Sequence, residues 1–231
     1  MKSPQGLWKL YPSKLYGFED CTACFWLENH HGVAPSIPFV LNSAMDSVLK
    51  NRYDLYRGKR ELPPEIATLA NEGLTLFEDV ETLDKWRGHT SHLRVVNEKA
   101  GFELSGKIDD LLVESDGRII PTDFKSSGYA PRDDKKKYYI SQLHAYALMF
   151  REHGHVPSDR AILIHYFLKD AKNPSLSVEF SSHIDPVGID LISFEKKLEA
   201  IVDLLNGPYP GDDLGCEKCI YYKGREYKKG V

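Results

Sequence analysis

The sequence predicts a mixed α/β (α+β) fold in which one small central mixed β-sheet is flanked by helices from both ends of the chain. Apolar residues recur at helical spacing before residue 60 and again after residue 186. From Leu93 onwards the apolar period changes to two, which is typical of strands. The uninterrupted apolar run AILIHYFL at 161–168 adds a strand that we expect to be buried.

Length and composition are sufficient for one large core, because 42% of the 231 residues are hydrophobic and 28% are charged. We expect a single domain over residues 1–231, made of an N-terminal helical part (1–92), a part with the sheet and one helix (93–183), and a C-terminal part (184–231). The net charge of −4 neither favours nor excludes nucleic acid as a partner, because a local basic stripe can still form a groove.

No apolar run approaches the roughly 20 residues that cross a bilayer. The N-terminal stretch MKSPQGLWKLYPSKL also lacks the apolar segment of a signal peptide. We therefore expect a cytoplasmic protein with no membrane partner. In a reducing compartment, the two Cys-x-x-Cys pairs, Cys21/Cys24 and Cys216/Cys219, indicate a metal or cluster site rather than disulfides.

The N-terminal part is predicted to be mainly helical. A short helical segment carries the first cysteine pair, and the break GVAPSIP follows it. Pro38 then opens a long amphipathic helix that continues to about Arg60, and 63–86 is expected to be helix and loop. The buried stripe expected for the long helix consists of Leu41, Met45, Val48, Leu49 and Tyr53.

The remaining elements are strands with one helix between them and one after them. The first three strands are LRVVN (93–97), FELSGKIDDLLVE (102–114) and RIIPTDF (118–124), and LSVEF (176–180) is a candidate fifth strand. A helix from Lys135 to about His153 precedes the buried strand. A last helix is expected to begin at Asp185-Pro186 and end before Gly207. Its expected inward-facing residues are Ile189, Ile192, Leu198, Ile201, Val202 and Leu205.

The second and third strands form a hairpin with acidic residues on both strands, and its register decides whether these acids meet. A two-residue turn would put Asp109 and Asp123 on opposite faces. A three-residue loop at 115–117, with its glycine in the left-handed conformation, instead pairs Glu114 with Arg118 and places the two acids opposite each other. With this register the polar face carries Asp109, Asp123 and Lys125, and the core face carries Ile108, Leu112, Ile120 and Phe124.

Two carboxylates held this close repel each other unless a cation lies between them. Hard ions such as Mg²⁺ or Mn²⁺ prefer oxygen ligands of this kind, so the hairpin is a candidate metal site. The alternative is a solvated hairpin face with a surface lysine, because edge hairpins are often charged. The apolar opposite face and the x-Asp-x-Lys pattern at the end of the strand favour the metal site.

The helix that follows carries Gln142 and Tyr146, which are four residues apart and therefore on one face. With these residues the sequence resembles the PD-(D/E)XK nuclease superfamily, in particular the RecB-like exonuclease branch that includes AddB and the CRISPR-associated RecB-like exonucleases. The matching motifs, in the family's order, are G-x-I-D at 106–109, D-F-K at 123–125 and Q-x-x-x-Y at 142–146. The resemblance implies a restriction-endonuclease-like core.

The resemblance also implies roles for the hairpin residues. Asp109 and Asp123 would hold a Mg²⁺ or Mn²⁺ ion, with the backbone carbonyl of Phe124 as a further ligand. Lys125 would position or activate the attacking water. This is chemically sensible, because a metal ion polarises a phosphate and an ammonium group stabilises developing negative charge.

Members of this family usually have a histidine on an upstream helix, in a G-x-x-x-H pattern, as another metal ligand. The corresponding stretch here ends at Asp46, and an aspartate can also ligate Mg²⁺. Asp46, Lys50, Tyr53 and Arg57 recur at helical spacing. This spacing predicts a metal ligand followed by a DNA-binding strip that includes Lys50 and Arg57. The alternative is a solvated face with an Asp46–Lys50 ion pair.

Two further groups of residues are assigned to nucleic acid. The Q-x-x-x-Y pair is expected to orient the DNA backbone or the groups around the metal, and the alternative is a tyrosine that packs beside a polar neighbour at a helix edge. The start of the same helix is expected to contact phosphates and stack on bases, and the alternative is a solvated helix start. The residues concerned are Gln142 and Tyr146, and Lys135, Lys136, Lys137, Tyr138 and Tyr139.

The cysteines also fit this branch, whose iron–sulfur members join the two chain ends through a cluster. The matching pieces are S-x-L-x-x-F-x-x-C at 13–21 and C-x-x-C-x-Y at 216–221. The family usually has one cysteine before the core and three after it, whereas this chain has two and two. Four thiolates hold either a [4Fe–4S] cluster or tetrahedral Zn²⁺. Paired Cys-x-x-Cys motifs favour zinc, whereas the resemblance favours the iron–sulfur cluster, which is our prediction.

The predicted function is a metal-dependent deoxyribonuclease. We expect an exonuclease that acts on single-stranded DNA or frayed duplex ends in DNA repair, recombination or CRISPR spacer processing, with recombination or CRISPR adaptation proteins as candidate partners. The choice of exonuclease rests on fold-level analogy. One alternative is a catalytically inactive DNA-binding or assembly module with the same fold, and another is an unrelated zinc-stabilised binding protein.

Overall fold

The structure is a computed structural model that describes residues 2–32, 40–88, 93–132, 136–170, 172 and 177–227. It has the predicted mixed α/β architecture flanked by helices, but the strands form two mixed sheets instead of the one that the sequence predicts. The strands are β1 (Trp8–Leu10), β2 (Thr75–Leu76), β3 (Arg94–Asn97), β4 (Phe102–Ser105), β5 (Asp110–Val113), β6 (Ile119–Ser127), β7 (Arg160–Leu168) and β8 (Phe180–Gly188).

Seven α-helices and two 3₁₀ helices lie in the described residues. The α-helices are α1 (Tyr16–Asp20), α2 (Thr22–His31), α3 (Val40–Lys59), α4 (Val80–Arg87), α5 (Lys137–Glu152), α6 (Leu191–Asn206) and α7 (Glu217–Tyr227). The 3₁₀ helices are Pro12–Lys14 and Pro64–Glu72. None of these helices is long and apolar enough to span a membrane.

The larger sheet has the strand order β2-β5-β6-β7-β8 and contains the acidic hairpin β5–β6. The strands β6 and β7 are parallel and are connected through α5, whereas the other neighbours in this sheet are antiparallel. The smaller sheet has the order β1-β4-β3, with β1 parallel to β4. The α5 crossover therefore places its helix directly beside β6, the strand that carries D-F-K.

The predicted long strand 102–114 is wrong, because β4 and β5 belong to different sheets. The chain leaves the smaller sheet at Gly106, where a Cβ atom would lie only 2.7 Å from Cγ of Pro12. Only glycine allows this close approach without displacing the proline ring. The glycine of the G-x-I-D motif therefore marks the point where the chain passes from one sheet to the other.

Both faces of the β5–β6 hairpin are covered by apolar cores. Leu112, Ile120 and Phe124 pack with α3 in the smaller core, whereas Ile108 and Leu111 belong to the larger core that contains α5 and α6. The assignment of Ile108 to the same face as Phe124 is therefore wrong. The acids lie where the hairpin ends, rather than along a solvated face.

Only part of the buried stripe predicted for α3 is confirmed. Leu49 and Tyr53 are buried and Met45 packs against the same core, whereas Leu41 and Val48 are 81% and 58% exposed. Leu41 is exposed because it lies in the first turn of α3, before Met45 reaches the smaller core, and Val48 is exposed although its neighbour Leu49 is buried. The expected first residue, Pro38, lies outside the described residues.

The helix predicted to begin at Asp185-Pro186 is α6, which begins later than predicted and is not the last helix, because α7 follows it. The Asp185-Pro186 pair lies inside β8, an edge strand, where a proline removes no ladder hydrogen bond that the sheet needs. The N-cap of α6 is Asp190, whose side chain accepts a hydrogen bond from Ser193 N over 3.1 Å. The residues Leu198, Ile201, Val202 and Leu205 are buried as predicted, Ile189 is partly buried and Ile192 is 71% exposed.

Candidate functional site

The β5–β6 hairpin has the register that the sequence predicts. Asp110 pairs with Thr122, so the next position along the ladder places Asp109 opposite Asp123. Gly117 closes the three-residue loop with a φ of 86°, in the left-handed region. The predicted loop and the predicted pairing of the two acids are both confirmed.

The two carboxylates meet the predicted lysine at the end of this hairpin. The backbone N–H of Phe124 donates a hydrogen bond over 2.8 Å to Oδ2 of Asp109. Lys125 lies on the same face of β6 as Asp123, and its Nζ makes an ion pair with Asp123 Oδ2. The structure thus brings together two acids, one ammonium group and the main chain between them.

Burial controls the charge of this cluster. Asp123 is 1% exposed. Burial raises the pKa of its carboxyl to about 7, while Lys125 opposes this shift and Asp109 adds to it. Burial lowers the pKa of Lys125, but the carboxylates of Asp123 and Asp109 more than offset it, so this pKa is raised. Burial thus disfavours the ionised form of Asp123, and nearby positive charge favours it.

These groups fit a hard divalent cation. The donors that Asp109 and Asp123 offer are carboxylate oxygens, which suit Mg²⁺ or Mn²⁺. The buried Oδ2 of Asp123 lies against the ammonium group of Lys125. A buried carboxylate oxygen is costly unless positive charge satisfies it, and a hard metal ion supplies such charge as an ammonium group does. The donor set and this oxygen together match a site for a hard metal ion.

Helix α5 places the Q-x-x-x-Y pair against Asp123. Gln142 Nε2 donates hydrogen bonds over 2.8 Å to Asp123 Oδ1 and over 2.8 Å to the hydroxyl oxygen of Tyr146. Both side chains are buried, and burial raises the pKa of Tyr146 well above its usual range. The pair therefore does not lie at an exposed helix edge, and it holds one oxygen of Asp123 from the α5 side.

Asp46 and Lys50 approach the same acids from α3. Lys50 Nζ lies 2.8 Å from Asp46 Oδ2 and 3.1 Å from Asp109 Oδ1. Burial lowers the pKa of Lys50, but the carboxylates of Asp109 and Asp46 raise it more, so this pKa is raised overall. The ion pair expected as the alternative is present, and it extends to Asp109. Lys50 thus joins Asp46 to the cluster.

The prediction that Arg57 contacts nucleic acid is wrong. Its side chain is 3% exposed, and its guanidinium group makes ion pairs with Asp54 and Asp110. It also donates a hydrogen bond over 2.6 Å to the carbonyl oxygen of Phe77. A buried guanidinium with these partners stabilises the fold and does not face a ligand.

Sequence reasoning missed the buried ion-pair network that supports Asp109. Asp110 is fully buried, and it pairs with Arg57 and, over 2.8 Å, with Arg87. Arg87 Nε donates to the backbone carbonyl of Asp109 over 2.8 Å, so the network holds the main chain of this acid. Burial raises the pKa of Asp110, although Arg87 and Arg57 oppose the shift. The adjacent acids Asp109-Asp110 were a signal, since strand neighbours face opposite sides.

Of the three lysines that the sequence predicts to contact phosphates, the structure describes Lys136 and Lys137. Lys136 and Lys137 lie at the start of α5, and Lys137 Nζ is 5.4 Å from the ring centroid of Tyr138. The Tyr138 ring packs edge-on against Tyr16 with the centroids 4.6 Å apart. Lys135 lies outside the described residues.

The four cysteines form one cluster, with two from the start of α2 and two from the start of α7. Their Sγ atoms all lie within 4.8 Å of one another. The Sγ atom of Cys24 is 3.5 Å from that of Cys219 and 3.7 Å from that of Cys216. Burial raises the pKa of Cys24, which without a metal favours the thiol. This tetrad suits a tetrahedral metal or a cluster, as the sequence predicts.

Comparison with protein families agrees with this arrangement. A family model described as the PD-(D/E)XK nuclease superfamily matches residues 9–223. A solved structure titled "Crystal structure of SSO0001" is 16% identical, with 90% of this chain and 81% of that chain covered and a TM-score of 0.44. The alkaline exonuclease LHK-Exo from Laribacter hongkongensis is 12% identical, with 96% of this chain and 95% of that chain covered and a TM-score of 0.45. No curated protein matches the chain.

Proposed function

The chain belongs to the PD-(D/E)XK nuclease superfamily, whose model matches most of its length, and we propose that it is a divalent-metal-dependent DNA nuclease. The observation that carries the proposal is the cluster of Asp109, Asp123 and Lys125 at the end of the β5–β6 hairpin. One carboxylate of this cluster is buried and held by Gln142. We propose that residues 1–231 act as one domain.

The carboxylates of Asp109 and Asp123 would hold a Mg²⁺ or Mn²⁺ ion, together with the backbone carbonyl of Phe124. Asp46 is a further candidate ligand, because Lys50 already links its carboxylate to that of Asp109. A bound ion supplies a Lewis acid for the phosphate and lowers the pKa of a coordinated water. Each ligand proposed here is an oxygen, which suits both ions.

The side chains around the acids have separate roles in this proposal. Lys125 positions the attacking water or stabilises the negative charge that develops on the phosphate, because its ammonium group lies beside Asp123. Gln142 and Tyr146 fix the direction of the Asp123 carboxylate. Lys50 would contact the DNA backbone when the acids hold a metal ion. Further proposed backbone contacts are Lys135, Lys136, Lys137 and Tyr138.

We propose that the cysteine tetrad binds a [4Fe–4S] cluster that joins the two chain ends, with structural Zn²⁺ as the alternative. The tetrad lies apart in sequence from the acids and connects α2 with α7. Iron, sulfide and zinc analysis of an anaerobic preparation, together with its visible absorption, distinguishes the two. A colourless preparation that contains zinc and no iron would exclude the cluster.

The substrate we propose is single-stranded DNA or frayed duplex ends, cleaved by an exonuclease in DNA repair, recombination or CRISPR spacer processing. Recombination or CRISPR adaptation proteins are the proposed partners, and a cytoplasmic location remains our prediction. One observation favours a different function, a catalytically inactive DNA-binding or assembly module. Lys50 lies between Asp46 and Asp109, where an active site would need space for a metal ion.

Cleavage of end-labelled DNA separates these functions. Single-stranded and duplex DNA are incubated with wild type, Asp123→Ala or Lys125→Ala, with Mg²⁺, Mn²⁺ or a chelator. Asp159→Ala is a matched control, because this acid is 84% exposed. Metal-dependent digestion by wild type and the control, lost in both site variants, supports the nuclease. Binding without digestion under every condition supports the inactive module instead.

A further inference from the structure

A cavity adjoins the candidate active site, and we propose that it binds an unpaired nucleobase of the DNA strand next to the scissile phosphate. This inference rests on the proposed nuclease function and names the substrate more closely. The cavity has a volume of about 610 Å³. Such a volume falls within the range of about 300–1,000 Å³ typical of ligand pockets. Its principal lining residues are Lys125, Tyr129, Arg132, Tyr138, Tyr139 and His165.

The cavity begins at the lysine of the D-F-K motif. Lys125 Nζ makes an ion pair with Asp123 and at the same time lies 4.8 Å from the ring centroid of Tyr139. The ammonium group therefore belongs both to the acidic cluster and to the wall of the cavity. If Lys125 contacts the phosphate that is cleaved, a neighbouring nucleotide is within reach of this cavity, because Lys125 also lines it.

The walls have the chemistry that binds single strands. Three tyrosine rings line one cavity, and the ring of Tyr138 is held in place by the ring of Tyr16. Aromatic rings stack on any base, whereas arginine and lysine attract the phosphates beside it. Arg132 lines the cavity and Lys137 lies beside Tyr138. Aromatic faces and positive charge therefore occur together, as in sites for single-stranded nucleic acid.

The floor of the cavity is fixed by the sheet. His165 is the β7 residue paired with Lys125, it is 4% exposed, and its ring centroid is 6.2 Å from that of Tyr139. In contrast, Tyr129 at the mouth is 82% exposed. A base within a duplex has both faces covered by its stacked neighbours, so only an unstacked base can use these rings. The cavity thus selects a single strand or a frayed end.

Single-stranded oligonucleotides that contain one abasic site test this inference. The site is moved along the strand, and cleavage of each linkage is measured with Mn²⁺. Wild type is expected to cleave the linkage next to the missing base roughly 5- to 100-fold more slowly than the same linkage in the intact strand. The loss of one base–aromatic stacking contact weakens binding by a factor of about this size. Tyr138→Ala and Tyr129→Ala are expected to slow cleavage of the intact strand and to remove the effect of the abasic site.

Two controls guard against a loss of folding. The thermal transition of Tyr129→Ala, whose native side chain is 82% exposed, should match that of wild type, and Tyr11→Ala, which removes a 44% exposed tyrosine outside the cavity, should cleave both strands as wild type does. Binding of the same strands in chelator gives a second measurement that needs no cleavage. Equal binding and equal cleavage of intact and abasic strands by wild type overturns the base pocket and leaves the nuclease standing. An abasic effect on binding without cleavage in any metal supports the pocket and overturns the nuclease.

Discussion

The side-chain amide of Gln142 donates a hydrogen bond over 2.8 Å to Oδ1 of the buried carboxylate of Asp123. This contact joins α5 to β6 at the point where the proposed metal ligands meet. Because the amide is neutral, it directs the carboxylate without neutralising it. The other oxygen, Oδ2, makes an ion pair with Lys125. One oxygen of Asp123 is thus held by a neutral donor and the other lies against positive charge.

Gln142→Leu is expected to weaken metal use rather than folding. The change keeps the approximate volume but removes the donor, so the carboxylate of Asp123 loses its fixed direction. Loss of a hydrogen-bond partner of a metal ligand usually lowers metal affinity or activity by about 10- to 100-fold. The measurement is the Mn²⁺ concentration that gives half-maximal cleavage. An unchanged midpoint, with a thermal transition equal to that of wild type, would show that the hydrogen bond has no such role.

We expect the unfolding free energy of the metal-free protein to depend on pH because of Asp123. Burial raises the pKa of this carboxyl to about 7 in the folded state, whereas an unfolded aspartate has a pKa of about 3.9. The folded state binds the extra proton between these values, so the contribution of Asp123 to stability falls as the pH rises through this window. Asp123→Asn removes the titrating group. The difference in unfolding free energy, variant minus wild type, should therefore increase from about pH 5 to 7.

Urea unfolding in chelator over this pH range measures that difference. The Asp159→Asn variant serves as the control for the substitution itself, because its side chain is 84% exposed. A difference between Asp123→Asn and wild type that stays constant across the range would contradict the raised pKa of Asp123.

Asp110→Asn is expected to destabilise the protein strongly. The change removes the fully buried carboxylate that Arg57 and Arg87 share, and leaves them only that of Asp54, whose side chain is 37% exposed. Breaking a buried ion pair in this way costs roughly 3–5 kcal/mol of unfolding free energy. The exposed Lys169–Glu179 pair is the control, and Lys169→Ala should leave stability unchanged within error. Similar effects of the two variants in urea unfolding would show that the network contributes little.

Gly106→Ala tests the close approach that separates the two sheets. The added methyl group would lie 2.7 Å from the Pro12 ring, so it must displace the 3₁₀ helix. We expect a loss of roughly 1–3 kcal/mol in unfolding free energy. Gly58 lies in α3 with no atom within 4 Å of an added Cβ. Gly58→Ala should therefore raise the unfolding free energy by up to about 1 kcal/mol. If both Gly106→Ala and Gly58→Ala lower it, the loss at Gly106 does not come from the contact with Pro12.

Local rules were enough to predict the hairpin and its acids. The strand period of two, together with a glycine three residues into the loop, fixes which side chains share a face. These two rules place Asp109, Asp123 and Lys125 together, and the observed register agrees. Helical spacing likewise predicted that Gln142 and Tyr146 share a face, although not that this face is buried against Asp123.

The errors arise where contacts between distant elements decide the outcome. Arg57 has the helical spacing of an exposed strip, but its side chain is buried because it pairs with Asp110 of β5. The edge position of β8, which tolerates Pro186, depends on a strand order that no local pattern contains. Leu41 has an apolar side chain at the right helical position, yet α3 extends past the core there. Each error follows from tertiary packing that local sequence does not encode.

The most direct test of the central claim is a Mn²⁺ titration of wild type and Asp123→Asn, with metal binding and cleavage of a labelled single strand followed in the same samples. The cysteine site is loaded in both proteins, so its metal does not contribute to the difference. We predict that wild type binds Mn²⁺ and that cleavage rises with occupancy, and that Asp123→Asn loses both. Equal Mn²⁺ binding by the two proteins, or cleavage by wild type that persists in chelator, would contradict the claim that Asp109 and Asp123 hold the catalytic ion.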